Sequence, residues 1–104
     1  MEVINEGTTA FLTVAFKNPA GVTVAPSAIS YRVDCLTTGG SLRAATSVSP
    51  APTVEIELDE AIDNVILGSD AYERRRVTIT ANYGSGYQAI DYHDYLLKNL
   101  KFIT

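Results

Sequence analysis

The sequence predicts an all-β fold, a two-layer sandwich of six to seven short antiparallel strands with one short helical crossover. Apolar side chains recur at every second position in at least four separate segments, and clusters of Gly, Pro, Asn and Ser separate those segments. Only one short segment has helical spacing. With 104 residues, the chain has room for a single domain, predicted over residues 1–104.

Three strands are predicted in the first half of the chain. Residues 10–17 alternate apolar and polar side chains, and residues 29–35 do so more clearly than any other segment, which indicates a central strand. Gly39 and Gly40 then turn the chain into residues 42–46, a weaker segment that we expect at a sheet edge.

The second half supplies three more strands and the crossover. Residues 54–58 have an apolar row opposite an acidic row, which indicates one buried and one wetted face. Residues 59–67 place apolar side chains at near-helical spacing after Asp59, a suitable N-cap, so we predict one or two helical turns crossing between the sheets. Residues 77–83 and 87–100 form a predicted β-hairpin around Gly84, Ser85 and Gly86.

Charge and cysteine content narrow the classes of partner. The net charge of −4 and the pI of 4.7 disfavour binding to nucleic acid or to an anionic membrane. The three arginines at 74–76 alternate between strand faces, so we expect a solvated strand start with ion pairs; the alternative is an anchor for an acidic partner. Cys35 is the only cysteine and is expected in the core, and the acidic first residues do not resemble a signal peptide. We therefore expect folding in a reducing cytoplasm.

Candidate catalytic and metal sites are weak. Asp91, His93 and Asp94 combine two carboxylates with the only imidazole, but in a strand Asp94 points away from the other two. The acids between 59 and 70 lack the spacing of a calcium loop, and no Gly-x-Ser-x-Gly motif occurs. We expect no enzyme activity, no metal and no cofactor, and a hydrolase is the last-ranked alternative.

The last hairpin and the C-terminal segment are the candidate partner-binding region. Tyrosine offers a large contact area at low entropic cost, and an apolar chain end is unusual. For the tyrosines, filling of the core remains an equal alternative, and the apolar end either completes the sandwich or docks onto a neighbour. The candidate residues are Tyr87, Tyr92, Tyr95, Leu97, Leu100, Phe102 and Ile103.

The stretch from Leu58 to Gly86 resembles the second half of fibronectin type III and related immunoglobulin-like modules. The matching features are Leu58, Tyr72 and the alternating strand of residues 77–84, and they cover about a quarter of the chain. The resemblance implies an immunoglobulin-like, fibronectin type III-like β-sandwich and carries no implication about function.

The segments 6–16, 20–21 and 29–34 are similar to small structural proteins of tailed bacteriophages. This resemblance implies a non-enzymatic virion protein, made in the host bacterial cytoplasm and bound in many copies to capsid, neck or tail proteins. The alternative from a different class is a carbohydrate-binding module that recognises host-surface glycans through its tyrosines.

Overall fold

The computed structural model describes residues 2–84 and 87–102, with the side chain of Phe102 excepted. These residues form seven strands and a short 3-10 helix, and the all-β prediction is confirmed at this level. In chain order the elements are β1 (Val3–Asn5), β2 (Ala10–Ala15), β3 (Ala28–Cys35), β4 (Ser41–Val48), β5 (Thr53–Leu58), β6 (Tyr72–Gly84), β7 (Tyr87–Lys98) and the 3-10 helix Leu100–Phe102.

The strands form a five-stranded sheet in the order β1-β7-β6-β3-β4 and a two-stranded sheet of β2 and β5. The predicted interior position of β3, the edge position of β4 and the β6–β7 hairpin are confirmed, although Ser85 and Gly86 of its turn lie outside the described residues. Strand β1 escaped prediction because three residues are too few to show an alternation. It pairs with β7 in parallel, so the strands are not all antiparallel as predicted.

One hydrophobic core lies between the two sheets. Strand β5 buries Val54, Ile56 and Leu58 on one parity and exposes the acidic row, as its sequence predicts. Strands β3 and β6 contribute the facing residues, among which Val33 and Val77 are completely buried. The period-two pattern therefore fixes which face of each of these strands packs inward.

The predicted helical crossover is wrong as a helix and right as a connection between sheets. Residues 59–64 form a single capped turn, in which Asp59 Oδ1 accepts hydrogen bonds from the N–H groups of Ala61 and Ile62 at 2.7 and 3.0 Å. The turn ends because Asn64 enters the core, where its amide donates to the carbonyls of Thr8 and Leu58. No helix among the described residues has the length and apolarity needed to span a membrane.

The three consecutive arginines do not form the solvated strand start that the sequence predicts. Arg75 shares the inward parity of Val77 and is completely buried, with its guanidinium 2.6 Å from Oε1 of the equally buried Glu73. Arg75 also donates to the carbonyls of Asp63 and Val65. Arg74 and Arg76 remain on the outer face and make the expected ion pairs.

Candidate protein-binding face

The outer face of the five-stranded sheet, which points away from the two-stranded sheet, holds the most exposed apolar side chains of β7. The hairpin register places Tyr92 beside Thr78 and Ile90 beside Thr80. Ile90 is 64% exposed and Tyr92 is 58% exposed. Both are on the parity opposite to the buried Tyr95 and Leu97, so they project from the sheet into solvent.

Two of the predicted partner-binding residues belong to the core instead. Tyr95 and Leu97 are completely buried, and the Tyr95 hydroxyl donates a 2.8 Å hydrogen bond to Asn64 Oδ1. Burial raises the pKa of the Tyr95 hydroxyl, which stays a neutral donor. Their assignment to a partner surface is therefore wrong, because the parity that they share faces the two-stranded sheet.

The remaining predicted residues do not form one surface with Tyr92. Tyr87 is 40% exposed on the other parity, where its ring lies 5.1 Å from that of Tyr83. Leu100 is exposed in the 3-10 helix, and its N–H donates to Glu6 Oε1 at 2.8 Å. The side chain of Phe102 and all of Ile103 lie outside the described residues.

One part of the outer face is charged, and its charges are paired with one another. Asp94 accepts hydrogen bonds from Arg76 at 2.8 and 3.0 Å and from Arg74 at 2.9 Å, and Arg32 pairs with Asp34 at 2.9 Å. The hydrogen bond from Arg76, followed by that from Arg74, holds the pKa of Asp94 below its ordinary value despite partial burial. Docking of a partner here would strip water from charges that already have partners.

The other part of the outer face consists of uncharged side chains, and among the described residues Arg32, beside Thr78, and Arg76, beside Tyr92, lie at its boundary. The residues of this part lie beside one another across the β3–β4, β3–β6 and β6–β7 strand pairs. Arg76 stacks on Tyr92, with the guanidinium carbon 4.0 Å from the ring centroid, which favours this orientation of the ring. We call this surface the uncharged patch, and it consists of Ser30, Ser47, Thr78, Thr80, Asn82, Gln88, Ile90 and Tyr92.

Sequence reasoning missed Ile90 and Arg76 as members of this face. The signal was present, since Ile90 and Tyr92 share a parity opposite to Tyr95 and Leu97. It could not be interpreted because β7 has apolar residues on both parities, so its alternation alone does not say which face is covered.

The candidate metal cluster is divided between the two faces of β7, as its parity predicts. Asp94 lies outside with the arginines, whereas Asp91 and His93 line a groove of about 400 Å³ between β2 and β7. Asp91 Oδ1 accepts the N–H of Tyr92 at 2.8 Å, and His93 Nε2 lies 3.7 Å from Glu2 Oε1. Within residues 2–84 and 87–102, no three His, Cys, Asp or Glu side chains are grouped as metal ligands.

No protein-family model matches the chain, and no curated protein or solved structure matches it significantly.

Proposed function

We propose that this chain is a non-enzymatic structural module that binds another protein through the uncharged patch. We further propose that it is a virion component of a tailed bacteriophage, attached to a capsid, neck or tail protein. The observation that carries the binding role is the exposed Ile90 and Tyr92 pair beside the uncharged Thr78 and Thr80 on the outer face of the sheet. Protein interfaces are depleted of charge at their centre and enriched in tyrosine.

The strand order supports an immunoglobulin-like identity for the module. In that fold, strands B and E pair in one sheet, and strands C, F and G are neighbours in the other. Here β2 pairs with β5, and β3, β6 and β7 are neighbours in that order, with β4 added beside β3. Modules of this architecture act in many settings, so the architecture supports the fold assignment and leaves the function to the patch.

The state of the Tyr92 ring also favours protein binding. Because Arg76 stacks on the ring, less side-chain freedom is lost when a partner covers it than for a ring without such a contact. The neighbouring Thr78 and Thr80 are short side chains, which let a partner approach the sheet closely. Ile90 and Tyr92 would then form the centre of the interface, with the paired charges of Arg76 and Asp94 at its rim.

The proposal is tested with particles and with purified virion proteins encoded in the same gene block. We expect the chain to co-sediment with particles and to bind one of those proteins, and the double variant I90S/Y92S to bind at least about tenfold more weakly. The matched control is F11S, which removes a side chain 61% exposed on the two-stranded sheet and should leave binding unchanged. Absence of wild-type binding to particles and to every protein of the gene block would refute the proposal.

A glycan is the second candidate ligand, and one observation favours it. The amide side chains of Asn82 and Gln88 are cross-strand neighbours, and Gln88 is two residues from Ile90 on the same face, so amide groups and the Tyr92 ring share one surface. A glycan array would show binding by the wild type that is lost in Y92S. A blank array, together with binding to a virion protein, would remove this candidate.

A further inference from the structure

Strand β2 has an open edge. It pairs with β5 on one side, and no described residue pairs with the other side of Ala10–Ala15. The N–H of Phe16 donates to the carbonyl of Pro52 at 2.9 Å, so the even-numbered residues of β2 direct their backbone groups toward β5. The odd-numbered residues, among them Thr13 and Ala15, therefore present their N–H and C=O groups at the open edge.

The groove between β2 and β7 runs beside this edge. Residues 12–17, from β2 and the two positions after it, line the groove without interruption. Since consecutive side chains of a strand point to opposite faces, an unbroken run of lining residues means that the strand edge itself borders the groove. The other lining residues include the apolar Ile79, Ala81 and Ala89. Open backbone groups and an apolar groove thus form one site.

The hydrophobic core is incomplete on this side of the sandwich. Leu12 and Val14 have the inward parity of β2 but are only partly buried, whereas the inward residues of β5 are buried. The two strands pair residue for residue, and the groove beside β2 accounts for the difference. An apolar side chain placed in the groove would therefore remove apolar surface from water.

The edge of β2 also lacks the features that keep strands of different molecules apart. Native proteins protect open edges with charged side chains, proline or bulges. Residues 10–15 contain no charged residue and no proline, and their pairing with β5 has no register shift. By contrast, β5 carries Glu55 and Glu57, and the segment of β7 beyond β1 carries Asp91 and Asp94. The edge of β2 is therefore the better acceptor of a further strand.

We propose that this edge accepts an extended segment donated by another protein, which pairs antiparallel with residues 12–17 and places alternate apolar side chains in the groove. Backbone donors and acceptors that repeat every second residue, about 6.8 Å, match those of a strand. Antiparallel pairing is favoured because it is the more stable arrangement per residue.

The position of the donated segment is compatible with the rest of the fold. In the immunoglobulin-like arrangement proposed above, strand A lies at this edge of strand B, whereas here the first strand, β1, pairs with β7. Strand β1 lies beside residues 96–98 of β7, and the groove is lined by residues 89 and 91–93. The donated segment joins the two-stranded sheet and so does not take the place of β1.

Charge specifies one residue of the donated segment. Lys17 is exposed and lines the groove just after the end of β2. A carboxylate on the facing residue would make a cross-strand ion pair with it. In an antiparallel pair that facing residue lies at the N-terminal end of the segment, on the parity opposite to its apolar side chains. The proposed partner segment is therefore acidic at its start and apolar at every second position after it.

The acceptor edge goes beyond the proposed function because it recognises a strand backbone between the two sheets, whereas the uncharged patch lies on the outer face. Failure of strand binding would leave the attachment to a virion protein through Ile90 and Tyr92 unaffected. Loss of that attachment in I90S would likewise leave strand binding in place. The two proposals therefore fail separately.

Titration with the capped peptide Glu-Val-Thr-Val-Thr-Val, followed by nuclear magnetic resonance, gives the first test. We expect saturable binding and, at a peptide concentration about ten times Kd, amide exchange about tenfold slower at Thr13 and Ala15. Leu12 and Val14, whose N–H groups face β5, should change little. A peptide with serine in place of each valine should not bind, because it cannot fill the groove.

A proline substitution tests the backbone edge. T13P removes an outward N–H without touching the ladder to β5 and should raise the peptide Kd at least about tenfold. The matched control is T53P, which makes the same change at an outward-facing position of β5, away from the groove, and should bind as the wild type does. If T13P does not fold, A89F gives the answer, since it fills the groove from β7 and should weaken binding at least about threefold.

Charge reversal tests the direction of the segment. K17E should raise the Kd of the peptide that begins with Glu about threefold, and a peptide that begins with Lys should recover the lost affinity in K17E. Equal affinities of the two peptides for wild type and K17E would overturn the antiparallel register.

The remaining outcomes identify the occupant of the edge. Absence of saturable binding at millimolar peptide, or equal binding by the wild type and a folded T13P, would overturn the proposal. Self-association of the chain without peptide, abolished in T13P and kept in T53P, would assign the edge to a second copy and overturn donation by another protein.

Discussion

At the residue scale, the buried Glu73–Arg75 pair is the most consequential contact in the core. Glu73 accepts hydrogen bonds from Arg75 and from the N–H groups of Leu67 and Gly68, so one carboxylate joins β6 to the segment that crosses between the sheets. We expect E73A to lower the free energy of unfolding by about 3 kcal/mol, because it leaves a buried guanidinium without its counterion. Urea unfolding measures the change.

The matched control for E73A is E55A, which truncates an exposed glutamate on β5 and should change the free energy of unfolding by less than about 0.5 kcal/mol. Equal effects of the two variants would show that the buried pair contributes nothing particular to stability.

The same carboxylate gives a prediction for pH dependence. Burial alone would raise the pKa of Glu73, but the hydrogen bonds from Arg75, Leu67 and Gly68 outweigh it and hold the pKa below its ordinary value. The folded state therefore binds fewer protons than the unfolded state, so this contribution is complete above the unfolded pKa and is lost as pH falls through the folded one. We expect unfolding free energy to fall below about pH 5.

The variant E73Q isolates this effect. It cannot titrate, so its unfolding free energy should fall less steeply with acid than that of the wild type, and the remaining slope should include Asp94, whose pKa is also lowered. The measurement is urea unfolding at a series of pH values from 6 to 3. Parallel pH profiles for the two proteins would contradict the assignment of the lowered pKa to Glu73.

At the element scale, the sequence predicts strands wherever burial is one-sided. In β3 and β5 every second residue is buried, and their predicted positions agree with the structure. In β6 the inward parity includes Glu73 and Arg75, and ordinary hydrophobic patterning cannot place charged residues in a core. The capped turn at 59–64 has helical spacing but too few residues to propagate a helix.

An ion pair between Arg43 and Asp63 connects the edge strand β4 to the capped turn of residues 59–64. Asp63 is completely buried, and its carboxylate accepts Arg43 Nε at 2.9 Å and the N–H of Asp59 at 2.7 Å. We expect D63A to cost about 2 kcal/mol of stability, because it leaves buried donors unpaired. Amide hydrogen exchange should accelerate most in β4 and in residues 59–64.

The control for D63A is D34A, which breaks the more exposed Arg32–Asp34 pair on the outer face and should change stability by less than about 1 kcal/mol. Uniform acceleration of exchange over all strands in D63A would show that the ion pair stabilises the fold globally and does not specifically fasten β4.

At the scale of the whole molecule, the unequal width of the two sheets decides what β7 exposes. The C-terminal part of β7 packs against the core through Tyr95 and Leu97, whereas Asp91 and His93, on the same parity, line the open groove. How far the facing sheet extends depends on β2 and β5, so the sequence of β7 alone cannot show which of its residues that sheet covers. The alternation of β7 therefore does not show which of its tyrosines are exposed. The packing of the two sheets places Tyr95 in the core and leaves Tyr92 on the surface.

The shared core predicts that both sheets unfold together. A two-stranded sheet is at best marginally stable by itself, so β2 and β5 depend on packing against the larger sheet. Ile56 of β5 is 1% exposed, so I56A should lower the free energy of unfolding by about 3 kcal/mol. The transitions followed by far-UV circular dichroism and by tyrosine fluorescence should shift by the same amount.

The control I90A makes the same truncation at a side chain 64% exposed and should change the free energy of unfolding by less than about 0.5 kcal/mol. If I56A shifted the circular dichroism transition and left the tyrosine signal in place, the two sheets would be separate folding units, since the buried Tyr95 reports on the five-stranded sheet.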